Sequence, residues 1–241
     1  MRNETWEIDE TILLFGLKYF RTQERAFAYV DRHNEKRLQK NLHSLHVFAR
    51  EFSQDGRRYF VVEEISTFFE KYTNMRCKDR TFYEIVRCNH PCRLYFDLEY
   101  DKTINEGVDD DLIMTIFRKK LVQHIKDILG VDLFACFGGH SIRDFFVEID
   151  SSNAQKFSRH VIISLPGENF FFNDKQMGQF VRLFCSNLTK EAAFGEQVFN
   201  FSGVVQEVRR LFFTRKVKND LLPNQPFVDT TVCTNNRHFR L

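Results

Sequence analysis

Apolar residues at 12, 13, 15, 17, 20, 26 and 30 keep to one side of a 3.6-residue period, which predicts an amphipathic helix over 10–33, firmest from Glu24 to Arg32. Two apolar runs, His46 to Arg50 and Arg58 to Glu63, flank Gln54-Asp55-Gly56, a turn signal, and predict a hairpin followed by a helix from Glu64 to Tyr72. Strand-like runs follow at Thr81 to Arg87 and Cys92 to Glu99, separated by Cys88-Asn89-His90-Pro91. Leu112, Ile113, Ile116, Leu121, Ile125 and Leu129 form a helical stripe, capped ahead by Asp109-Asp110-Asp111 and stopped by Gly130. A second hairpin is predicted from Phe145 to Ile149 and Lys156 to Leu165, and a second long helix from Asp174 to Ala193 on the stripe Met177, Phe180, Val181, Phe184, Leu188 and Ala192. Phe137-Gly138-Gly139-His140 reads as a turn, 219–226 as a loop, and Phe227 to Val232 and Asn236 to Leu241 as strands.

The strand period assigns faces. Asp97 and Glu99 sit two apart within Leu94-Tyr95-Phe96-Asp97-Leu98-Glu99, so both project from one face while Phe96 and Leu98 take the other. Two adjacent anions call for a cation, although a wet strand face would look the same. Lys156, Ser158 and His160 likewise share a face, offering a point charge, a hydroxyl and an imidazole in line, a row suited to a polyphosphate or to a plain edge-strand surface. Arg159 falls on the opposite face with Phe157.

Composition narrows the setting. At 241 residues and 43% hydrophobic, the chain is long enough for one large domain or two smaller subdomains, and disorder is excluded as its general state. The net charge of +2 means that any nucleic-acid contact must come from local clusters. One such cluster is Arg209, Arg210, Arg215, Lys216 and Lys218 around Leu211-Phe212-Phe213, and Arg76 and Arg80 are further candidates; a solvated charged face accounts for each as well. The acidic first ten residues oppose a signal peptide or presequence, no apolar run reaches membrane-spanning length, and the six scattered cysteines read as reduced thiols, so an intracellular protein with no membrane partner is expected. Cys88, His90 and Cys92 lack a second knuckle, and no zinc is expected.

Taken together, Leu94-Tyr95-Phe96-Asp97-Leu98-Glu99, Lys156-Phe157-Ser158-Arg159-His160, and Phe227-Val228-Asp229 followed by Asn236-Arg237-His238-Phe239-Arg240 resemble, in order and spacing, the three motifs of the archaeo-eukaryotic primase superfamily, closest to its eukaryotic primase-polymerase branch. The resemblance runs from about Leu45 to the end, departing from related proteins at Thr231, Cys233 and Asn235. It implies an α+β primase catalytic core, a mixed or antiparallel sheet with an RRM-like part flanked by helices. Residues 1–90 would form an N-terminal α/β subdomain with a leading helix, and 91–241 a catalytic subdomain, incomplete at its C-terminus because the chain ends on a strand-like run.

The resemblance further implies that Asp97, Glu99 and Asp229 are catalytic and hold two divalent ions, Mg²⁺ or Mn²⁺, while Lys156, Ser158, His160, Arg237 and Arg240 bind a nucleoside triphosphate. Template DNA, a primer strand and dNTP or NTP would be partners, with a role in damage tolerance and repriming of stalled forks in the nucleus and mitochondrial matrix. Relatives also carry a zinc-knuckle module for priming and a tail for single-strand-binding protein, neither of which lies in these residues. Two other readings stay open from the residues: a two-metal nuclease, against which Lys102 lies three rather than two residues after Glu99, and an inactive nucleic-acid-binding fragment.

Overall fold

The computed structural model describes residues 16–52, 56–136, 145–168, 170–197, 204–217, 220–233 and 236–240. The expected turns at Gln54-Asp55 and at 137–140, and the start of the first expected helix, lie outside them. The chain is α+β with antiparallel sheets, and it divides into two compact units, Met1–Val86 with Asn236–Leu241, and Arg87–Asn235.

In the first unit, strands β1 (Lys18–Phe20), β2 (Leu45–Glu51), β3 (Arg58–Glu64), β4 (Phe82–Val86) and β10 (Arg237–Arg240) form a sheet in the order β1-β3-β2-β4-β10. Helices α1 (Gln23–Gln39) and α2 (Ile65–Thr73) cover its two faces. Because both faces are buried, β2 and β3 read as continuous apolar runs in their centres. Phe48 and Val61 point to α2, where Phe48 stacks on Phe68 at 3.7 Å, while Val47, Ala49 and Val62 pack with Ala26 and Val30 of α1.

The first expected helix is corrected here: Lys18 to Phe20 pair with β3, Lys18 opposite Val62, and the helix begins only after Thr22, whose hydroxyl accepts from Arg25 N at 3.4 Å. Leu17 and Phe20 therefore bury from the strand and its flank. That helix also continues to Gln39, beyond the expected end at 33.

His238 on β10 gives this unit a pH dependence. Its Nδ1 accepts from Arg58 at 2.6 Å and its Nε2 donates to Gln23 Oε1 at 3.0 Å, a pattern open only to the neutral ring. Burial, then the charges of Arg58 and Arg237, push its pKa down to about 4. The unfolded chain protonates this ring near 6.5 and the folded chain does not, so the stability it contributes is complete above about 6.5 and is lost as pH falls towards 4. Urea titrations at pH 7 and 5 should show a larger loss of midpoint for the wild type than for His238→Gln; equal losses would refute the assignment.

In the second unit, β5 (Leu94–Asp101), β6 (Phe146–Asp150) and β7 (Lys156–Ile163) form a sheet in the order β5-β7-β6. The face bearing Phe96 is covered by α3 (Asp110–Leu129) and α5 (Asp174–Gln197), where Phe96 meets Phe117 edge-on at 5.2 Å and Phe184 at 5.7 Å. Helix α3 starts and stops where the caps predict. Asp109 Oδ1 accepts from the backbone N–H of Asp111 and Leu112, and Gly130 takes the left-handed φ of 68° that ends the helix. A four-residue turn of helix, α4 (Leu133–Cys136), follows.

Two expectations fail between 204 and 232. The expected loop at 219–226 is mostly a strand, β9 (Asp220–Pro226), paired with β8 (Phe212–Val217) after a short helix α6 (Val204–Arg209). The expected strand at Phe227 to Val232 is a single bridge, Leu98 to Val228, followed by a 3-10 turn at Thr230–Val232. Asp229 explains the change, since its Oδ1 accepts from Thr231 N at 2.9 Å and caps that turn. No helix among the described residues is long and apolar enough to cross a membrane.

Candidate active site

The carboxylates are gathered by sheet register. Strand β5 pairs antiparallel with β7, so Asp97 lies opposite His160, Glu99 opposite Ser158 and Asp101 opposite Lys156. Opposed residues share a face, so the acidic row and the Lys156, Ser158, His160 row form one two-strand surface. Its other edge receives the third carboxylate: Asp229 N donates to Asp97 O at 2.8 Å and Glu99 N donates to Phe227 O at 2.8 Å. These bonds flank the Leu98–Val228 bridge and set Asp229 opposite Asp97, across 132 positions of chain.

The side chains are engaged locally. Lys156 Nζ bonds Glu99 Oε2, and His160 Nε2 stands 3.4 Å from Asp97 Oδ1. Asp97 is only 8% exposed, and its Oδ1 is buried without a hydrogen-bond donor. Among the described residues, no three His, Cys, Asp or Glu side chains stand as a ready metal cluster. The donor chemistry nonetheless suits a hard divalent cation, because Asp97, Glu99 and Asp229 offer carboxylate oxygens and the buried Asp97 Oδ1 makes no hydrogen bond, with the His160 ring 3.4 Å away. Lys156 holds the place of a cation beside Glu99.

Arg159 is turned to the other face, where Glu148, Asp150 and Asp111 carboxylates lie within 3.4 to 3.8 Å and its guanidinium sits over Phe157. Glu148 in turn accepts from Arg118 through both oxygens, at 2.6 and 2.8 Å. This network fixes β6 and β7 to α3 behind the candidate site. Lys102, the residue a nuclease would need, donates to Asp110 Oδ2 at 2.7 Å.

The basic cluster is divided by the fold. Arg209 ends α6 and donates to Ala192 O at 3.3 Å, Arg210 is exposed after it, and Arg215 and Lys216 stand on β8. These last two line a cavity of about 380 Å³ with Glu99, Asp101, Lys156 and Thr214, and the buried Nη2 of Arg215 has no hydrogen-bond partner. Asn105 anchors that hairpin, its amide donating to Thr214 O at 3.0 Å and its Oδ1 accepting from Thr214 N at 2.9 Å. Nothing in the local pattern around Asn105 signals this, because its partner lies 109 residues away.

The remaining candidates sit in the first unit. Arg237 and Arg240 lie on β10, opposite Val86 and Tyr83 of β4. Arg76 is exposed and pairs with Asp79 at 2.7 Å, whereas Arg80 donates to the carbonyls of Thr73 and Met75 at 2.8 and 3.0 Å and closes the end of α2. In the second unit, Cys92 is buried, its thiol pushed up to about 11 by burial and then by Asp174 and Cys233.

No protein-family model matches the chain. Curated relatives do. A protein of Danio rerio named DNA-directed primase/polymerase protein is 32% identical over 82% of this chain and 38% of its own length. Proteins of the same name from Mus musculus and Bos taurus are 30% and 27% identical over 93% of this chain, and 43% and 45% of their own lengths. The chain thus spans less than half the length of these relatives. Over most of its residues, this chain is homologous to proteins named DNA-directed primase/polymerase protein.

Proposed function

We propose that this chain carries the archaeo-eukaryotic primase core and performs template-directed nucleotidyl transfer, extending a DNA strand with dNTP or NTP, in damage tolerance and repriming. The observation that carries the reading is the bridge setting Asp229 opposite Asp97 on a sheet whose register aligns Asp97 with His160 and Glu99 with Ser158. Asp97, Glu99 and Asp229 would hold two divalent ions. When bound, Mg²⁺ or Mn²⁺ supplies activation of the attacking hydroxyl and charge neutralisation of the leaving pyrophosphate.

The chain's own residues then position the substrate. Lys156 exchanges Glu99 for a triphosphate oxygen, Ser158 donates its hydroxyl, and the imidazole of His160 donates a further hydrogen bond. The family resemblance adds Arg237 and Arg240, whose guanidinium forks suit phosphate oxygens, as further candidate ligands. No protein nucleophile is needed, since the attacking hydroxyl belongs to the primer or initiating nucleotide.

Incubating the protein with a primed template, labelled dNTPs and Mn²⁺ or Mg²⁺ should lengthen the primer with template-matched nucleotides. DNA shortened without nucleotides would point to a nuclease instead, and tight single-strand binding without incorporation would mark a binding remnant; either overturns the proposal.

A further inference from the structure

In the first unit, a cavity of about 410 Å³ opens between one face of α1 and the strands β1 and β3. Tyr29, His33, Lys36, Arg37 and Lys40 recur at steps of three and four and so line one side of the helix, while Lys18 of β1 and Glu63 and Glu64 of β3 complete the wall. The acids are already neutralised. Lys71 Nζ pairs with Glu63 at 2.8 Å, and Arg37 pairs with Glu64. Arg37 also donates to His43 O at 2.6 Å, which fixes its guanidinium.

That leaves three ammonium groups around one cavity. Among the described residues, Lys18 donates to the neutral Tyr29 hydroxyl, at 3.1 Å, and none of Lys18, Lys36 and Lys40 pairs with an acid. Basic residues in a last helical turn complement the helix dipole, which accounts for Lys36 and Arg37 but not for Lys18 on a separate strand. The Tyr29 ring stacks on His33 at 3.8 Å and lies under the Lys18 ammonium at 5.5 Å, so this wall of the cavity is an amphipathic aromatic surface carried by a helix. A cavity of this size accommodates a small anionic group.

We infer that this cavity is a phosphate-binding site, formed by Lys18, Lys36 and Lys40 over the Tyr29–His33 stack, for either a free polyphosphate or the backbone of a nucleic-acid strand. It goes beyond the proposed polymerase reading, because none of its residues belongs to the carboxylate surface. Lysines suit this ligand, being point charges that accept any orientation of the phosphate oxygens.

The test uses the full chain with two probes, inorganic pyrophosphate by calorimetry and a single-stranded oligonucleotide by fluorescence anisotropy across a salt series. In Lys18→Ala/Lys36→Ala/Lys40→Ala, affinity for at least one probe should fall about tenfold, and where the oligonucleotide is the probe affected, its slope of log affinity against log salt should become shallower by about 2. Loss of pyrophosphate binding identifies a free polyphosphate as the ligand, whereas loss confined to the oligonucleotide identifies a strand backbone. Lys36→Gln/Lys40→Gln, which leaves the Lys18–Tyr29 bond in place and sets no negative charge against the helix dipole, should lose the larger part of the same affinity and serves as the folding-safe variant. Asp97→Ala should bind both probes at this site as the wild type does, even where it incorporates no nucleotide. Less than a twofold change in both lysine variants, or no wild-type binding of either probe, overturns the inference.

Discussion

Asp97→Ala is expected to lower template-directed incorporation by about a thousandfold or more, the scale of loss when a ligand to a catalytic ion is removed. Stability should move the other way or not at all. The backbone carbonyl that receives Asp229 N stays in place, and the deleted carboxylate makes no hydrogen bond through its buried Oδ1, only a 3.4 Å approach from the His160 ring, so little native bonding is lost with it. A thermal melt at or above the wild-type temperature, together with lost incorporation, separates a chemical role from a structural one. Asp97→Asn keeps the shape and removes the charge, and it should be as inactive as the alanine variant. Incorporation surviving in either would remove Asp97 from the site.

That carboxylate pair was legible because alternation within a strand is a local property. Phe96 and Leu98 needed a core, which fixed the opposite face for Asp97 and Glu99, and the same reasoning sorted Ser158 and His160 from Arg159. The spatial position of Asp229 was not legible from local pattern, since one bridge sets it there and a single bridge leaves no period to read. Only its place in a third motif pointed to it.

The misread segments share a physical cause. Asp220–Pro226 is almost wholly exposed and holds two prolines with Asn224 at a φ of 55°, so it carries neither alternation nor strand propensity, and its pairing with β8 is an edge pairing that needs few backbone donors. Lys18–Phe20 is too short to display a period of two, and its apolar neighbours blend into the helical pattern that follows. The stripe from Tyr29 to Lys40 was written in helical spacing, but its meaning depends on Lys18 and on which acids Arg37 and Lys71 neutralise. Such charge accounting requires tertiary neighbours.

The second large effect concerns Phe117, which no candidate site contains. Its ring is fully buried in α3 and meets three others edge-on: Phe96 of β5 at 5.2 Å, Phe184 of α5 at 5.9 Å and Phe227 at 5.6 Å. Phe96 immediately precedes Asp97, and Phe227 immediately precedes Val228, whose bridge to Leu98 sets Asp229 in place, so this one side chain backs both halves of the carboxylate pairing. Truncation to alanine should cost about 3 to 5 kcal/mol, the lost transfer free energy plus the cavity left behind. A merely global destabilisation would leave incorporation per folded molecule unchanged. Because Phe227 loses its support, Phe117→Ala should instead lower incorporation even at temperatures where circular dichroism reports a folded chain, and Phe117→Leu, which refills most of the volume, should recover the larger part of both losses. Full activity of folded Phe117→Ala would mean that Asp229 is held by the backbone bridge alone, through the bonds from Asp229 N to Asp97 O and from Glu99 N to Phe227 O.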